Sequence, residues 1–230
     1  MSSEMASRPL GKSRKYGVII FDWDGTLVDS TARIVDSMQT AADEVGLPKL
    51  SDLAIQQIIG LGLPEAIRQL WPDILAEQLQ RMRVLYPANF SDHSDVPVDF
   101  FSQALQVCEE LKALGYDLAV ATGKTRRGLN EMIERMSVPD VFTITRCADE
   151  TSSKPDPLML NEILTELKLT SKQGLMVGDT SFDLDMARSI GMDSIGMTHG
   201  AHANEILLAS GAKALCHDLN ELLGWIKDNG

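Results

Sequence analysis

The stretch Val18-Ile19-Ile20-Phe21-Asp22-Trp23-Asp24-Gly25-Thr26-Leu27 restricts the folds open to this chain more than any other. A short apolar run rich in β-branched residues reads as a buried parallel strand, and this one stops at two carboxylates, a glycine and a threonine. In extended backbone, residues two apart point the same way, so Asp22 and Asp24 converge on one spot while Trp23 faces elsewhere. Carboxylates so placed repel unless a proton or a cation lies between them. Open α/β sheets bind their ligands just beyond the carboxyl ends of the strands, which is where this pair falls.

After residue 30 the pattern changes to a helical one. Ile34, Met38, Ala41, Ala42 and Val45 recur at helical spacing, with Asp29 or Ser30 placed to cap the start and Gly46 to stop it. Further helical stretches occupy 53–59, 64–70 and 74–86, and no strand pattern occurs between residues 30 and 95. An all-helical segment directly after a first strand reads as a small cap, spanning 30–97, set into a core made of 16–29 and 98–230, with 1–15 as a flexible tail. From residue 101 the alternation resumes. Phe101, Leu105, Cys108, Leu111 and Leu114 form a helical stripe ended by Gly115, and 118–121 reads as a buried strand that closes on Thr122-Gly123-Lys124. A helix at 125–136, a strand at 142–145, a helix at 157–167 and a strand at 174–177 follow, the last ending in Gly178-Asp179-Thr180-Ser181. Weaker strands at 193–197 and 213–216 complete the series. Strands alternating with helices predict an α/β fold with a doubly wound parallel sheet.

Composition narrows the partners. A chain of 230 residues suits one large domain or one domain with an insertion. Its net charge of -12 disfavours nucleic acid and anionic membrane as partners, so an anionic ligand needs a local cation. Cys108, Cys147 and Cys216, far apart and odd in number, form neither a disulfide framework nor a metal pattern, and are expected as core thiols in a reducing, cytoplasmic setting. The first fifteen residues contain no apolar h-region, and the apolar runs fall short of a membrane span.

Three of the strongest strands thus end in Asp22 and Asp24, in Thr122 and in Asp179, and a topological crevice would gather these ends. Lys154, in Ser153-Lys154-Pro155-Asp156-Pro157, precedes a helix with proline near its N-terminus and could reach the same crevice. Several carboxylates, a hydroxyl, a lysine and glycines suit a phosphoryl group held with a divalent metal. Mg²⁺ takes hard oxygen ligands, commonly one or two carboxylates with waters and a substrate oxygen, and Asp22, Asp179 and the backbone carbonyl of Asp24 could supply the protein's share. Lys154 adds a fixed cation, while Thr122 and the backbone N–H groups near Gly25 and Gly123 could donate to phosphoryl oxygens. Asp183, four residues after Asp179, falls on the same helix face and could orient a ligand or bind the metal through water. Plainer readings stand beside these. Asp179 and Asp183 could be an N-cap and a first-turn acid, Lys154 a solvated charge, and Lys124, Arg126 and Arg127 either a steering group or a solvated helix face. Gly60-Leu61-Gly62-Leu63-Pro64 reads as a turn between cap helices, Arg68 as surface, and His93 as part of a linker.

Asp22-Trp23-Asp24-Gly25-Thr26, Ala121-Thr122-Gly123, Ser153-Lys154-Pro155 and GDTSFD at 178–183 together resemble the four ordered motifs of the haloacid dehalogenase (HAD) superfamily. The helical insertion after the first motif is similar to its C1-capped subfamily, which includes phosphoglycolate phosphatases and β-phosphoglucomutases. The resemblance implies that Asp22 is the nucleophile of an aspartyl-phosphate, that Asp24 is the acid and base, and that Thr122 and Lys154 complete the catalytic set. It further implies Mg²⁺ at Asp22, Asp24, Asp179 and Asp183, and substrate contacts from Gly25, Thr26, Gly123, Lys124 and the cap residues Gly62 and Leu63. The superfamily's dehalogenases lack the second aspartate, which is present here as Asp24, and its phosphonatases use a cap lysine, for which this cap offers only Lys49. Where members often have a proline-glycine turn, this chain has Val98-Asp99-Phe100-Phe101-Ser102. The function implied is a Mg²⁺-dependent phosphatase of a small phosphomonoester metabolite, phosphoglycolate phosphatase-like, as monomer or homodimer. A phosphosugar mutase of the β-phosphoglucomutase type and a non-catalytic regulatory protein on the same scaffold are the alternatives.

Overall fold

A computed structural model describes residues 14–230. Six strands, β1 (Val18–Phe21), β4 (Asp117–Thr122), β5 (Ile144–Cys147), β6 (Gly174–Gly178), β7 (Asp193–Met197) and β8 (Ala214–Cys216), form one sheet in the order β5-β4-β1-β6-β7-β8. Every pairing in it is parallel. Helices α5 (Ala104–Ala113), α6 (Arg126–Arg135), α7 (Leu158–Leu167), α8 (Ser181–Ser189), α9 (Asn204–Ala209) and α10 (Leu219–Asn229) connect or follow them. A sheet covered on both faces needs strands that are apolar on both, and β1 shows why its run is unbroken. Val18 and Ile20 enter one apolar cluster with Ala119, Met176 and Leu160, while Ile19 and Phe21 enter the other with Leu118, Val177 and Leu222. Cys108, Cys147 and Cys216 are buried and unpaired. No described helix is long and apolar enough to cross a membrane.

Between β1 and β4 the chain leaves the sheet. It passes through a two-residue strand β2 (Val28–Asp29) that pairs antiparallel with β3 (Asp99–Phe100), a small ribbon that the alternation pattern does not predict. Helices α1 (Thr31–Val45), α2 (Asp52–Gln56), α3 (Leu63–Leu70) and α4 (Ala76–Ala88), closed by a π turn at Asn89–His93, lie between the two strands. They pack around a cluster of their own that includes Met38, Ile55, Ile67 and Met82. α1 ends at Gly46, whose φ of 79° is the left-handed cap conformation that glycine adopts without strain.

Several boundaries differ from expectation by a few residues, three of them at contacts near the sheet. The third strand of the α/β series starts at Ile144 rather than 142, because Phe142 turns to meet the Trp23 ring edge-on at 6.3 Å. α5 starts at Ala104, since Phe101 donates its N–H to the Leu27 carbonyl at 3.0 Å and so stays with the ribbon. Residues 1–13 of the expected tail lie outside the described part, and its last two are held: Arg14 donates to the Leu114 carbonyl and Lys15 pairs with Asp193 at 2.7 Å each.

Leu118 of β4 is fully buried, whereas Leu53 of α2 is 64% exposed. Leu118→Ala is expected to cost about 2–5 kcal/mol in a denaturant titration, against a few tenths for Leu53→Ala, and equal losses would contradict the placement of the core.

Candidate active site

Central placement of β1, with β4 and β6 as its neighbours, sets three strand ends side by side. Asp22 directly follows β1, Thr122 closes β4 and Asp179 directly follows β6, and all three are buried. Asp183 sits in the first turn of α8, where its Oδ2 accepts from the Thr180 hydroxyl at 2.7 Å and the Thr180 N–H at 3.3 Å. One oxygen from each of Asp22, Asp179 and Asp183 lies within 4.8 Å of the others. Lys154, only 1% exposed, reaches into the cluster with its Nζ 2.7 Å from Asp22 Oδ1 and 2.6 Å from Asp183 Oδ1. Burial opposes the lysine's charge, yet the Asp183 and Asp22 carboxylates hold its ammonium above the ordinary lysine range.

Charge inside this group does not balance. Three carboxylates face one ammonium, which leaves two negative charges among buried residues. Asp22 and Asp179 respond by resisting ionisation. Desolvation, aided by Asp183 and Asp179, drives the Asp22 carboxyl well up, and desolvation with Asp183 pushes Asp179 up to about 7. Asp22 Oδ2 is buried with neither a hydrogen-bond nor an ion-pair partner among the described residues. A divalent hard cation fits this donor set in both sign and amount, and Mg²⁺ is such an ion.

Asp24 stands apart from that cluster. Its Oδ1 accepts from the Ser30 hydroxyl at 2.6 Å and pairs with Lys124 Nζ at 3.0 Å, so Asp24 has a cation of its own. Ser30, expected as a helix cap, makes no side-chain cap bond to α1 because its hydroxyl is spent on Asp24. The Asp24 carboxylate is therefore not among the three that converge for a metal.

Other expected contacts are redistributed. Thr26 donates its hydroxyl to Asp179 Oδ1 at 2.7 Å, and the Ala201 N–H donates to Asp179 Oδ2 at 2.8 Å. Thr26 thus orients a carboxylate rather than facing open space. Gly25 has a φ of 81°, and a β-carbon there would collide with the Asp179 carboxylate. Thr122 Oγ1 accepts from the Lys124 N–H at 3.2 Å. Arg126 and Arg127 are paired with Glu150 and Glu131 at 2.7 Å each, which disperses the basic group into ion pairs. Arg68, His93 and Lys49 are exposed.

Helical-segment residues 57–63 sit directly on this site. A β-carbon on Gly123 would lie 2.6 Å from the Gly60 carbonyl oxygen and 2.5 Å from that of Leu61, so only glycine allows the two loops to touch. Gly62 donates its N–H to Ser153 Oγ at 2.8 Å, next to Lys154. His202, 5% exposed, joins the same junction. Its Nδ1 accepts from the Ser181 N–H at 3.0 Å, which leaves the proton on Nε2 to donate to the Gln57 carbonyl at 3.3 Å. Burial lowers the pKa of His202 and so favours that neutral form. Ser30, Ser153, Ala201 and His202 escape a sequence reading. The one signal for the last two is that the loop after β7, Thr198-His199-Gly200-Ala201-His202, also follows a strand end.

A cavity of about 630 Å³ opens from Asp22 and Asp24 between the helical segment and the sheet, with Leu63, Gly123 and Lys124 in its walls. The arrangement places two carboxylates with separate partners at the floor of one chamber, one oriented by a buried lysine and the other by a hydroxyl and a lysine.

Because raised carboxyl pKa values make the folded state bind more protons than the unfolded one, stability of the metal-free protein falls as pH rises from about 4 to 7. A series of melting temperatures in EDTA is expected to drop by several degrees between pH 5 and pH 7.5, with Mg²⁺ restoring the loss at pH 7.5 and doing little at pH 5. A flat or rising series would contradict the charge account.

Comparison with known proteins follows the geometry. A family model described as haloacid dehalogenase-like hydrolase matches residues 19–197. The chain is 33% identical over 215 residues to the probable phosphatase IndB of Dickeya dadantii, covering 90% of this chain and 92% of that one. It is 27% identical over 214 residues to a phosphoglycolate phosphatase of Vibrio cholerae, covering 90% and 95%. A crystal structure of a predicted phosphoglycolate phosphatase from Haemophilus somnus superposes with a TM-score of 0.84 at 23% identity, over 93% of this chain and 99% of that one, which shows a shared fold.

Proposed function

Because this chain belongs to the haloacid dehalogenase-like hydrolase family and is a phosphatase by kinship, we propose that it hydrolyses a small phosphomonoester in two steps, with Mg²⁺ and through an aspartyl-phosphate on Asp22. The observation that carries this reading is Asp22 itself. Its Oδ1 is fixed by Lys154 while Oδ2 has no partner, at the floor of a chamber wide enough for a substrate. That is the posture of a nucleophile.

In the first step a carboxylate oxygen of Asp22 bonds to phosphorus, the phosphorus–oxygen bond to the alcohol breaks, and Asp24, entering the step protonated, gives its proton to the leaving oxygen. In the second, Asp24 takes a proton from water as the water oxygen attacks phosphorus, which releases inorganic phosphate and regenerates the Asp22 carboxylate. Ser30 and Lys124 hold Asp24 in place through both. Asp22, Asp179 and Asp183 would hold the Mg²⁺, with Thr26 and the Ala201 N–H orienting Asp179. When bound, the ion offsets the repulsion between carboxylate and phosphate. Lys154 keeps Asp22 and Asp183 from splaying apart. Thr122 and the N–H groups beside Gly25 and Gly123 are the donors we assign to the phosphoryl oxygens.

The helical segment at 30–97 acts in this reading as a cap on the core formed by 16–29 and 98–230. Its loop at 60–62 closes over Gly123 and Ser153, keeps bulk water from the intermediate, and reads the leaving group. For a mutase the chamber would have to grip a second phosphate, and of the arginines that line it Arg127 is already paired with Glu131.

Asp22→Asn is expected to reduce phosphate release by about 10³-fold or more while leaving the melting temperature within a few degrees of the parent or above it. An unchanged rate would remove Asp22 from the nucleophile role. Asp24→Asn separates the roles by leaving group. It should cost about 10²–10⁴-fold on an alkyl phosphate, whose alcohol must be protonated, and far less in the first step on p-nitrophenyl phosphate, whose phenolate departs unaided. Equal first-step losses on the two esters would contradict Asp24 as the acid.

A further inference from the structure

We infer that the preferred leaving group is an uncharged alcohol with a sizeable apolar body, rather than a short hydroxy acid. The inference rests on the phosphatase reading and concerns the chamber above Asp22 and Asp24. Its volume, about 630 Å³, lies within the range that holds a drug-sized ligand and far exceeds the needs of a two-carbon acid beyond its phosphate.

Chemistry of the walls points the same way. Ile34, Met38, Ile58, Ile59, Phe90 and Met132 are buried residues that line the chamber from both sides of the junction. Ile34, Ile59, Phe90 and Met132 belong to the sheet's apolar cluster and Met38 and Ile58 to that of the helical segment, so the chamber is a gap between two hydrophobic cores. An apolar body placed against these side chains is itself taken out of water and covers what water still reaches of them.

Charge argues against a carboxylate in the leaving group. Lys124, nearest to the reacting end, is committed to Asp24 at 3.0 Å and lies over the Phe90 ring at 4.5 Å from its centroid. Of the outer cations, Arg127 pairs with Glu131 at 2.7 Å and Arg135 donates to the Ser91 carbonyl at 2.8 Å. Arg83 is exposed on α4, and the acids Asp92, Glu131 and Asp149 match the three arginines in number. A substrate carboxylate would find no buried, unspent cation. Burying it unpaired is costly, whereas a neutral apolar group loses nothing.

The test compares ethyl phosphate with 2-phenylethyl phosphate, whose leaving alcohols are alike at the reacting carbon and differ by one phenyl group. Wild-type protein with Mg²⁺ is assayed on both and on phosphoglycolate, and calorimetry gives the Kd of ethylphosphonate and 2-phenylethylphosphonate. We expect kcat/KM at least tenfold higher for 2-phenylethyl phosphate than for either other ester, and a matching tenfold preference among the phosphonates. A smaller ratio in both assays, or phosphoglycolate as the best substrate, overturns the inference while the phosphatase reading stands. If no ester is hydrolysed the phosphatase reading fails, and the phosphonate Kd values alone then decide: a tenfold preference keeps the chamber as an apolar-ligand site, and equal values overturn it.

Discussion

The contact on which the rest of this site depends is the burial of Lys154 between Asp22 and Asp183. Without that ammonium, three buried carboxylates would share one pocket with no counter-charge. With it, two negative charges are still unmet. Desolvation is the largest contribution to the raised pKa values of Asp22 and Asp179, and it makes the metal-free site a high-energy arrangement held by the surrounding fold. The sheet supplies that hold. β1, β4 and β6 are adjacent, buried throughout except for Asp117 at the start of β4, and locked in parallel register, so the residues at their ends have little freedom to separate.

A second constraint acts where the helical segment meets the sheet. Gly123 lets the Gly60 and Leu61 carbonyls approach, Gly62 is tied to Ser153, and His202 bridges Ser181 and Gln57. Each of these contacts joins the helical segment to a loop that also positions a charged group of the site. Placement of the segment and organisation of the carboxylates are therefore coupled through short hydrogen-bonded paths, from Gly62 through Ser153 to Lys154 and from Gln57 through His202 to the start of α8.

Much of this was legible in the sequence for a definite reason. A strand buried on both faces is written as an unbroken apolar run, and Asp22, Thr122 and Asp179 stand out because polar residues end such runs abruptly. The meeting of Asp22 with Asp179 then follows from the gathering of strand ends in one crevice, whereas the strand order does not. What was not legible are polar contacts made across large sequence separations by common residue types. Ser30 looks like a helix cap but serves Asp24, and Thr26 looks like a substrate contact but serves Asp179. His202 gives no local pattern, and Ser153, though part of the Ser153-Lys154-Pro155 motif, gives no sign of its partner, since Gln57 and Gly62 lie in another part of the chain. The two-residue ribbon β2–β3 is too short to leave a periodic signal.

The chain belongs to the haloacid dehalogenase-like hydrolase family, and its two floor carboxylates have different partners, which is the ground for the different tasks proposed for them: Asp22 a buried lysine shared with Asp183, Asp24 a hydroxyl and a separate lysine. The central claim is that Asp22 becomes phosphorylated. Its most direct measurement is peptide mass spectrometry on enzyme quenched in acid during steady-state turnover of an ester with Mg²⁺. The account predicts a base-labile phosphoryl group on the peptide that contains Asp22, lost when the quench follows substrate exhaustion. Turnover with no label on that peptide, or with the label on another residue, would contradict it.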